Sequence, residues 1–168
     1  MEFKNQTVEQ ILQVAKEIVA KVSNCWVVTA DLAGGANARV VQPFFSQLDQ
    51  DDCVVRFLTS ASSRKAAEIA SSRTIALGYQ CDQEQAYVTL VGAASIIDHR
   101  GYLREQWRAE WEAYFPKGPS DADAVIVEVT VERIEMMNLA RGIAAPRNGL
   151  RPATLQRAAS GGWQPVDR

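Results

Sequence analysis

The sequence contains few of the residues that metal centres and common hydrolases require. It has a single histidine, His99, and its three cysteines are far apart, so no CxxC or HxxxH pair occurs. A zinc site needs three or four such ligands at suitable spacing. No G-x-S-x-G motif is present to supply a nucleophilic serine. Metal catalysis and serine hydrolysis are therefore not expected, and His99 is predicted to be an exposed turn residue.

Glycine-rich nucleotide loops, long apolar runs and basic runs are also missing. Gly34-Gly35 lacks a third glycine and a following helical pattern, so it is not a Rossmann motif, and no P-loop occurs. No apolar segment approaches the roughly 20 residues of a membrane span. The net charge of −2 argues against nucleic-acid binding. With no signal-peptide pattern and only scattered cysteines, we expect reduced thiols and a cytoplasmic protein without nucleic-acid or membrane partners.

Hydrophobic periodicity predicts one mainly β domain with a few helices. Thr7 and Gln10 form a capping box before an apolar helical stripe. Further helices are predicted over residues 64–70 and 100–115, and Gly92 predicts a bulge or bend in a long strand. The predicted strands are 25–30, 38–44, 54–59, 74–80, 86–97 and 124–131, with 47–52 as an exposed turn.

The order of these elements predicts an α+β fold. Hairpin turns join most of the strands, and alternating βαβ units are absent. We therefore expect a six-stranded antiparallel split β-barrel with flanking helices over residues 1–140. Residues 141–168 lose periodicity and are predicted to be an irregular C-terminal tail on the same domain.

The most informative stretch joins the third predicted strand to a helix. Val54–Thr59 is predicted to be a buried strand and Ser60–Ser63 a turn, in which Ser62 or Ser63 is the helix N-cap. Arg64 and Lys65 then occupy the first helical turn. Two cations at the positive end of the helix dipole are unfavourable unless an anion lies over that turn. The stretch is therefore either a phosphate cradle or an ordinary solvated helix start.

Arg39 offers a third cation for the same anion. It reaches the anion if its strand neighbours Val54–Thr59, and otherwise it is a surface hairpin residue. Three cations with the hydroxyls of Thr59 and Ser63 suit a phosphate monoester, and the apolar strands nearby suit a planar ring. This combination of groups suits a mononucleotide cofactor such as FMN.

These residues carry a resemblance to a known family. Arg39-Val40-Val41 and Phe57-Leu58-Thr59-Ser60-x-x-Ser63-Arg64-Lys65 resemble the FMN-binding split-barrel family of pyridoxamine 5′-phosphate oxidases. Tyr87–Gly92 and Trp107–Asp121 are most similar to its general stress protein branch. The resemblance implies the FMN-binding split-barrel fold and a homodimer with FMN at the subunit interface.

The resemblance also assigns roles to individual positions. It implies phosphate contacts from Arg39, Ser63, Arg64 and Lys65. It implies contacts to the ribityl chain and isoalloxazine ring from Leu58 and Thr59, with Tyr87 and Val88 near the ring. Trp107 and Trp111 either pack near the flavin or, more simply, serve core and dimer packing at helical spacing.

The function implied is that of an FMN-binding flavoprotein, an oxidoreductase of unknown substrate. The alternative is a non-catalytic flavin-binding stress protein that stores or senses flavin. A third hypothesis is a deazaflavin or haem ligand, the latter disfavoured by the single histidine. Pyridoxamine 5′-phosphate oxidases carry an Arg-x-His pair near the C-terminus, which this tail lacks, so vitamin B6 oxidation is not expected. No catalytic acid or base is assigned.

Overall fold

The protein is built on one antiparallel β-sheet, which the computed structural model describes through residues 6–49, 51–143 and 151–166. Side chains of β-branched and aromatic residues dominate its strands, as a half-buried pleated surface requires. The strands are β1 (Cys25–Ala30), β2 (Ala36–Val41), β3 (Pro43–Leu48), β4 (Cys53–Ser60), β5 (Thr74–Cys81), β6 (Ala86–Ile97), β7 (Ala124–Asn138), β8 (Ala153–Arg157) and β9 (Trp163–Pro165).

Three α-helices flank the sheet: α1 (Val8–Lys21), α2 (Arg64–Ser72) and α3 (Arg100–Gln106). The predicted capping box begins α1, since the Gln10 amide donates to Thr7 Oγ1 at 3.2 Å and the Thr7 amide donates to Gln10 Oε1 at 2.9 Å. Short 3₁₀ turns occur at Asp82–Glu84, Ala109–Ala113 and Gly118–Ser120. Within the described segments, no helix has the length and hydropathy needed to cross a membrane.

The connection between β2 and β3 determines the shape of the sheet. The strand order is β2-β1-β5-β6-β7-β4-β3, so β2 and β3 are its opposite edges, yet only Gln42 separates them in the chain. Two consecutive peptide steps span at most about 7.6 Å. The sheet must therefore curl until its edges meet at Gln42, which gives the predicted split-barrel class of fold.

The strand count differs from the prediction in the segment 38–44. We predicted one strand there, and the structure has two that change direction at Gln42, because β2 pairs with β1 while β3 pairs with β4. The predicted turn over 47–52 is also shorter than expected. β3 continues through Leu48, which is buried because its partner in β4 is the buried Cys53.

The prediction of an irregular tail is wrong in the part that the structure describes. β8 pairs with the second half of β7, and β9 pairs with β8, so the tail extends the sheet beside β4. Leu155 is fully buried and Trp163 nearly so, which explains why this polar-looking segment is ordered. Residues 144–150 and 167–168 of the predicted tail lie outside the described residues.

The predicted helix over residues 100–115 is interrupted. α3 ends at Gln106, and after Trp107 and Arg108 the chain forms the 3₁₀ turn Ala109–Ala113. This break allows the aromatic residues to pack in a second, smaller core. Its buried members are Leu103, Phe115, Ala124 and Ile126, against which Phe44, Leu58, Ile97, Tyr102 and Trp107 pack.

Gly92 lies at the predicted bulge between β6 and β7. Val91 pairs with Arg133 and Gly92 pairs with Val131, so β7 carries one extra residue at this point. A Cβ atom on Gly92 would lie 2.0 Å from the carbonyl oxygen of Thr130 and 2.8 Å from its carbonyl carbon. Because those atoms belong to the backbone of a central strand, they have little freedom to move.

Replacing this glycine is expected to destabilise the whole sheet. We expect Gly92→Ala to lower the free energy of unfolding by about 3 kcal/mol, because β6 and β7 must separate to admit the methyl group. Urea denaturation measures the change. Gly78→Ala is the matched control, since its Cβ would have Trp26 Cβ as nearest atom at 3.9 Å and should cost less than about 1 kcal/mol. Equal midpoints for the two variants would contradict this account.

Candidate functional site

A cleft of about 520 Å³ opens at the seam of the barrel, which is the place where β2 and β3 meet at Gln42. Five parts of the chain form it: the residue before β1, the end of β2, the end of β4 with the first turn of α2, the 3₁₀ aromatic segment, and the loop before β7. Its lining residues are Asn24, Val40, Val41, Gln42, Leu58, Thr59, Ser60, Lys65, Trp111, Tyr114, Phe115 and Asp123. The predicted residues Leu58, Thr59, Lys65 and Trp111 are therefore brought together.

The first turn of α2 presents unpaired donors at the cleft. Of the two serines predicted as possible N-caps, Ser63 is the N-cap, and its hydroxyl accepts a hydrogen bond from the Ala66 amide at 3.2 Å. Among the described residues, the amides of Arg64 and Lys65 have no hydrogen-bond acceptor. The first turn also contains no acidic residue. These amides and the helix dipole give this end of the cleft a positive potential.

Lys65 is the cation that lines the cleft itself. Its side chain is half-buried, and its ammonium lies 5.7 Å from the centroid of the Phe57 ring. In the described part of the chain, no carboxylate lies within salt-bridge distance of it. Burial, together with the charge of Arg39, lowers the pKa of Lys65. A half-buried ammonium without a counter-ion is suited to an anionic ligand.

The condition under which we expect Arg39 to reach the anion through the sheet is not met, because β2 pairs with β1 and not with β4. Arg39 does not line the cleft. It instead contacts α2 from the side, where its Nη2 lies 2.7 Å from Glu68 Oε2. Arg64 is 70% exposed, and its Nε lies 3.5 Å from Glu68 Oε1.

Glu68 is a buried carboxylate that the sequence analysis did not single out. Its side chain is 1% exposed, and it accepts hydrogen bonds from Thr29 at 2.5 Å, Asn37 at 2.7 Å and Arg39 at 2.7 Å. The Thr29 hydroxyl and then the other donors hold the pKa of Glu68 below its usual value. Its position four residues after Arg64 was visible in the sequence as a helical ion pair. Its burial was not.

Asp123, in the loop just before β7, is a second acidic residue of the site and lines the cleft. Its carboxylate accepts hydrogen bonds from the Ser60 hydroxyl at 2.5 Å and the Ser62 amide at 2.8 Å. Its carbonyl oxygen accepts a third from the Ala61 amide at 2.7 Å. Asp123 thereby fixes the turn between β4 and α2, and with it the direction of the helix start.

Aromatic side chains form another part of the cleft lining. Trp111 lines the cleft. Its ring packs edge-on against those of Phe44 and Trp107, with centroid distances of 5.0 Å and 5.5 Å. Trp107 does not line the cleft and packs in the smaller core, consistent with its simpler interpretation as a packing residue. Tyr114, which is 79% exposed, contributes to the rim.

Tyr87 and Val88 lie outside the cleft. Tyr87 is 45% exposed on the outer face of β6, and Val88 is 1% exposed in the main core. Successive side chains of a strand point to opposite faces, so the two residues cannot contact one ligand within a single copy of the chain unless it reaches both faces. Their predicted contact near the flavin ring stays a prediction.

The remaining reactive side chains lie apart from the cleft. His99 is the exposed N-cap of α3 and accepts a hydrogen bond from the Tyr102 amide, as expected for a turn residue. Burial raises the pKa of the Cys25 and Cys53 thiols to about 11, so both stay protonated at neutral pH. Across the described residues, no group of three histidine, cysteine or acidic side chains could hold a metal ion.

The sequence profile of the family described as pyridoxamine 5′-phosphate oxidase like matches residues 9–142. This match covers more than half of the chain, and the protein therefore belongs to that family. No curated protein sequence is significantly similar to it.

Solved structures share the fold at low sequence identity. A Clostridium acetobutylicum protein related to general stress protein 26 has a TM-score of 0.73 at 21% identity, over 89% of this chain and 96% of its own. A pyridoxamine 5′-phosphate oxidase-related, FMN binding protein of Nostoc punctiforme has a TM-score of 0.67 at 12% identity, over 99% and 100%. An F420 reductase has a TM-score of 0.54 at 15% identity, over 71% and 94%.

The role of Asp123 is testable through the pH dependence of stability. Hydrogen bonds from Ser60 and then Ser62 lower the pKa of Asp123 in the folded protein. Its contribution to stability is therefore present above the unfolded pKa, about 3.9, and is lost as the pH falls through the lower folded value. We expect the free energy of unfolding of Asp123→Asn to fall less steeply with pH below about pH 4 than that of the wild type. Ser60→Ala, which removes one of the hydrogen bonds to the carboxylate, should give an intermediate slope. Urea unfolding at stepped pH measures this, and an unchanged slope in Asp123→Asn would rule it out.

Proposed function

We propose that this protein binds FMN in the cleft and acts as a flavin-dependent oxidoreductase. The observation that carries the proposal is the half-buried Lys65 at the first turn of α2, which lines the cleft and has no counter-ion among the residues that the structure describes. A helix start of this kind binds anions, and phosphate is one that it commonly holds. The volume of the cleft lies within the range of about 300–1,000 Å³ typical of small-molecule sites.

The chemical character of the lining residues fits the three parts of FMN. Lys65 and the backbone amides of Arg64 and Lys65 suit the phosphate. Thr59 and Gln42 are polar groups suited to the hydroxyls of the ribityl chain. The apolar and aromatic remainder suits the isoalloxazine ring, and it consists of Val40, Val41, Leu58, Trp111, Tyr114 and Phe115. Family membership and the FMN binding relative support the same assignment.

Bound flavin would supply the redox chemistry, and this chain supplies binding, orientation and electrostatics. Neither histidine nor cysteine lines the cleft in the described residues, and its one carboxylate, Asp123, is engaged by Ser60 and Ser62. The substrate therefore has no evident acid or base partner. This favours a second candidate, a non-catalytic flavin-binding protein, which steady-state oxidation of NADH or NADPH by the FMN-loaded protein would distinguish from an oxidoreductase.

We further propose a homodimer formed through the outer face of the sheet. Trp26 and Val40 are paired across β1 and β2 on that face and are 53% and 52% exposed. Tyr87 lies on the same face, because Gly78 pairs with both Trp26 and Thr89. Exposed apolar patches of this kind are typical of protein interfaces. Val40 also lines the cleft, which supports a flavin site next to the subunit interface.

The phosphate site predicts a selective effect of charge removal. We expect Arg64→Ala combined with Lys65→Ala to weaken FMN binding by at least about tenfold while changing riboflavin binding little, because only FMN has the phosphate. Flavin fluorescence titration measures both affinities. Lys16→Ala combined with Lys21→Ala removes the same charge from α1 and should leave both unchanged.

Two outcomes of the FMN titration would contradict the proposed flavin site. A protein that takes up no FMN on titration would exclude it, and the deazaflavin F420 would then be the next ligand to titrate, given the F420 reductase among the structural relatives. FMN uptake that is insensitive to the double substitution would instead place the phosphate elsewhere.

The dimer is tested by placing a charge on the outer face. We expect Trp26→Glu to convert a dimeric wild type into a monomer, because a carboxylate there would lose its hydration in the interface. Size-exclusion chromatography with light scattering gives the mass. Leu32→Glu, at a 65% exposed position in the β1–β2 turn, should remain dimeric. A monomeric wild type would disprove the proposed interface.

A further inference from the structure

We propose that Glu68 is a positioning residue that makes the cleft selective for ligands ending in a phosphate monoester, by fixing the guanidinium of Arg39. This inference rests on the proposed flavin site and assigns a role to a residue outside the cleft lining. Glu68 is 1% exposed, and a carboxylate so deeply buried is costly unless charged and polar partners satisfy it. Its partners are Arg64 on α2 itself and three side chains of β1 and β2, namely Thr29, Asn37 and Arg39.

The hydrogen-bond network holds Arg39 in one orientation. Arg39 Nη1 donates to Thr29 Oγ1 and, at 3.2 Å, to the carbonyl oxygen of Asn37. Its Nη2 donates to Glu68 at 2.7 Å. Thr29 in turn donates its hydroxyl proton to Glu68, and Asn37 donates an amide proton to it. The guanidinium is therefore oriented by the same carboxylate through one direct contact and one contact mediated by Thr29.

This arrangement leaves donors available on a fixed arginine. A guanidinium has five N–H groups, and the bonds above use three of them. The Nε–H and one Nη2–H have no acceptor among the described residues, while the side chain is only 22% exposed. Arg39 and Arg64 contact the two oxygens of the same Glu68 carboxylate, at 2.7 Å and 3.5 Å, so the guanidinium of Arg39 lies beside the first turn of α2, which carries Lys65. The charge of Arg39 also contributes to lowering the pKa of Lys65. An anion held at Lys65 is thus near an oriented arginine with unused donors.

A charge-conserving substitution separates positioning from simple electrostatics. Glu68→Asp keeps the negative charge but shortens the side chain by one methylene, so the contact with Arg39 is lost or lengthened. We expect the preference for FMN over riboflavin, measured as the ratio of their dissociation constants, to fall by about tenfold, because one charge-assisted hydrogen bond to the phosphate loses its geometry. Riboflavin affinity should be unchanged.

A second variant keeps the inference testable if Glu68→Asp does not fold. Thr29→Val is nearly isosteric, changes no charge, and removes the hydroxyl that links Arg39 to Glu68. It should lower the same ratio by a few-fold. In an Arg39→Ala background, neither substitution should lower the ratio further, because both are proposed to act through Arg39.

The outcomes separate this inference from the proposed function. A wild type that binds FMN no more tightly than riboflavin would overturn the phosphate site itself. A wild type that prefers FMN, with the preference unchanged in both Glu68→Asp and Thr29→Val, would overturn the role of Glu68 alone. Equal losses of FMN and riboflavin affinity would indicate a purely structural role and would also overturn it.

Discussion

The one-residue connection at Gln42 is the constraint on which the rest of the structure depends. It joins the two opposite edges of the sheet, so the strands between them have to curl. Because the edges meet at a point and not along a ladder, the barrel stays split, and the end of β2 comes beside the end of β4. The cleft occupies that seam, and Gln42 is one of its lining residues. The same connection thus determines both the class of fold and the location of the candidate site.

The start of α2 illustrates how a locally unfavourable sequence is accommodated. Two cations at the positive end of a helix are destabilising in isolation. In the folded protein Glu68 pairs with Arg64 within the helix, and Asp123 holds the preceding turn from a loop more than fifty residues away in the chain. Lys65 has no such partner in the part of the chain that the structure describes. The stability of the turn is therefore supplied by groups that leave the cation in the cleft free for a ligand.

The cleft and the outer face of the sheet are linked through β2. Val40 is exposed on that face and lines the cleft, while Arg39, the preceding residue, points to the opposite side and joins the network of Glu68. A single strand thus connects the proposed dimer interface, the proposed ring site and the proposed phosphate site. The protein belongs to the pyridoxamine 5′-phosphate oxidase like family, and among the described residues no histidine lines its cleft.

The sequence by itself determined the features that depend on neighbouring residues. The capping box of α1, the extents of β1 and β6, the bulge at Gly92 and the N-cap Ser63 all follow from local periodicity and from capping or backbone preferences. The tertiary structure alone decided the break at Gln42, the strands β8 and β9, the partner of Arg39 and the burial of Glu68. Each of these depends on which distant strands pair and which groups they bring together, and a single strand's pattern does not specify its partner.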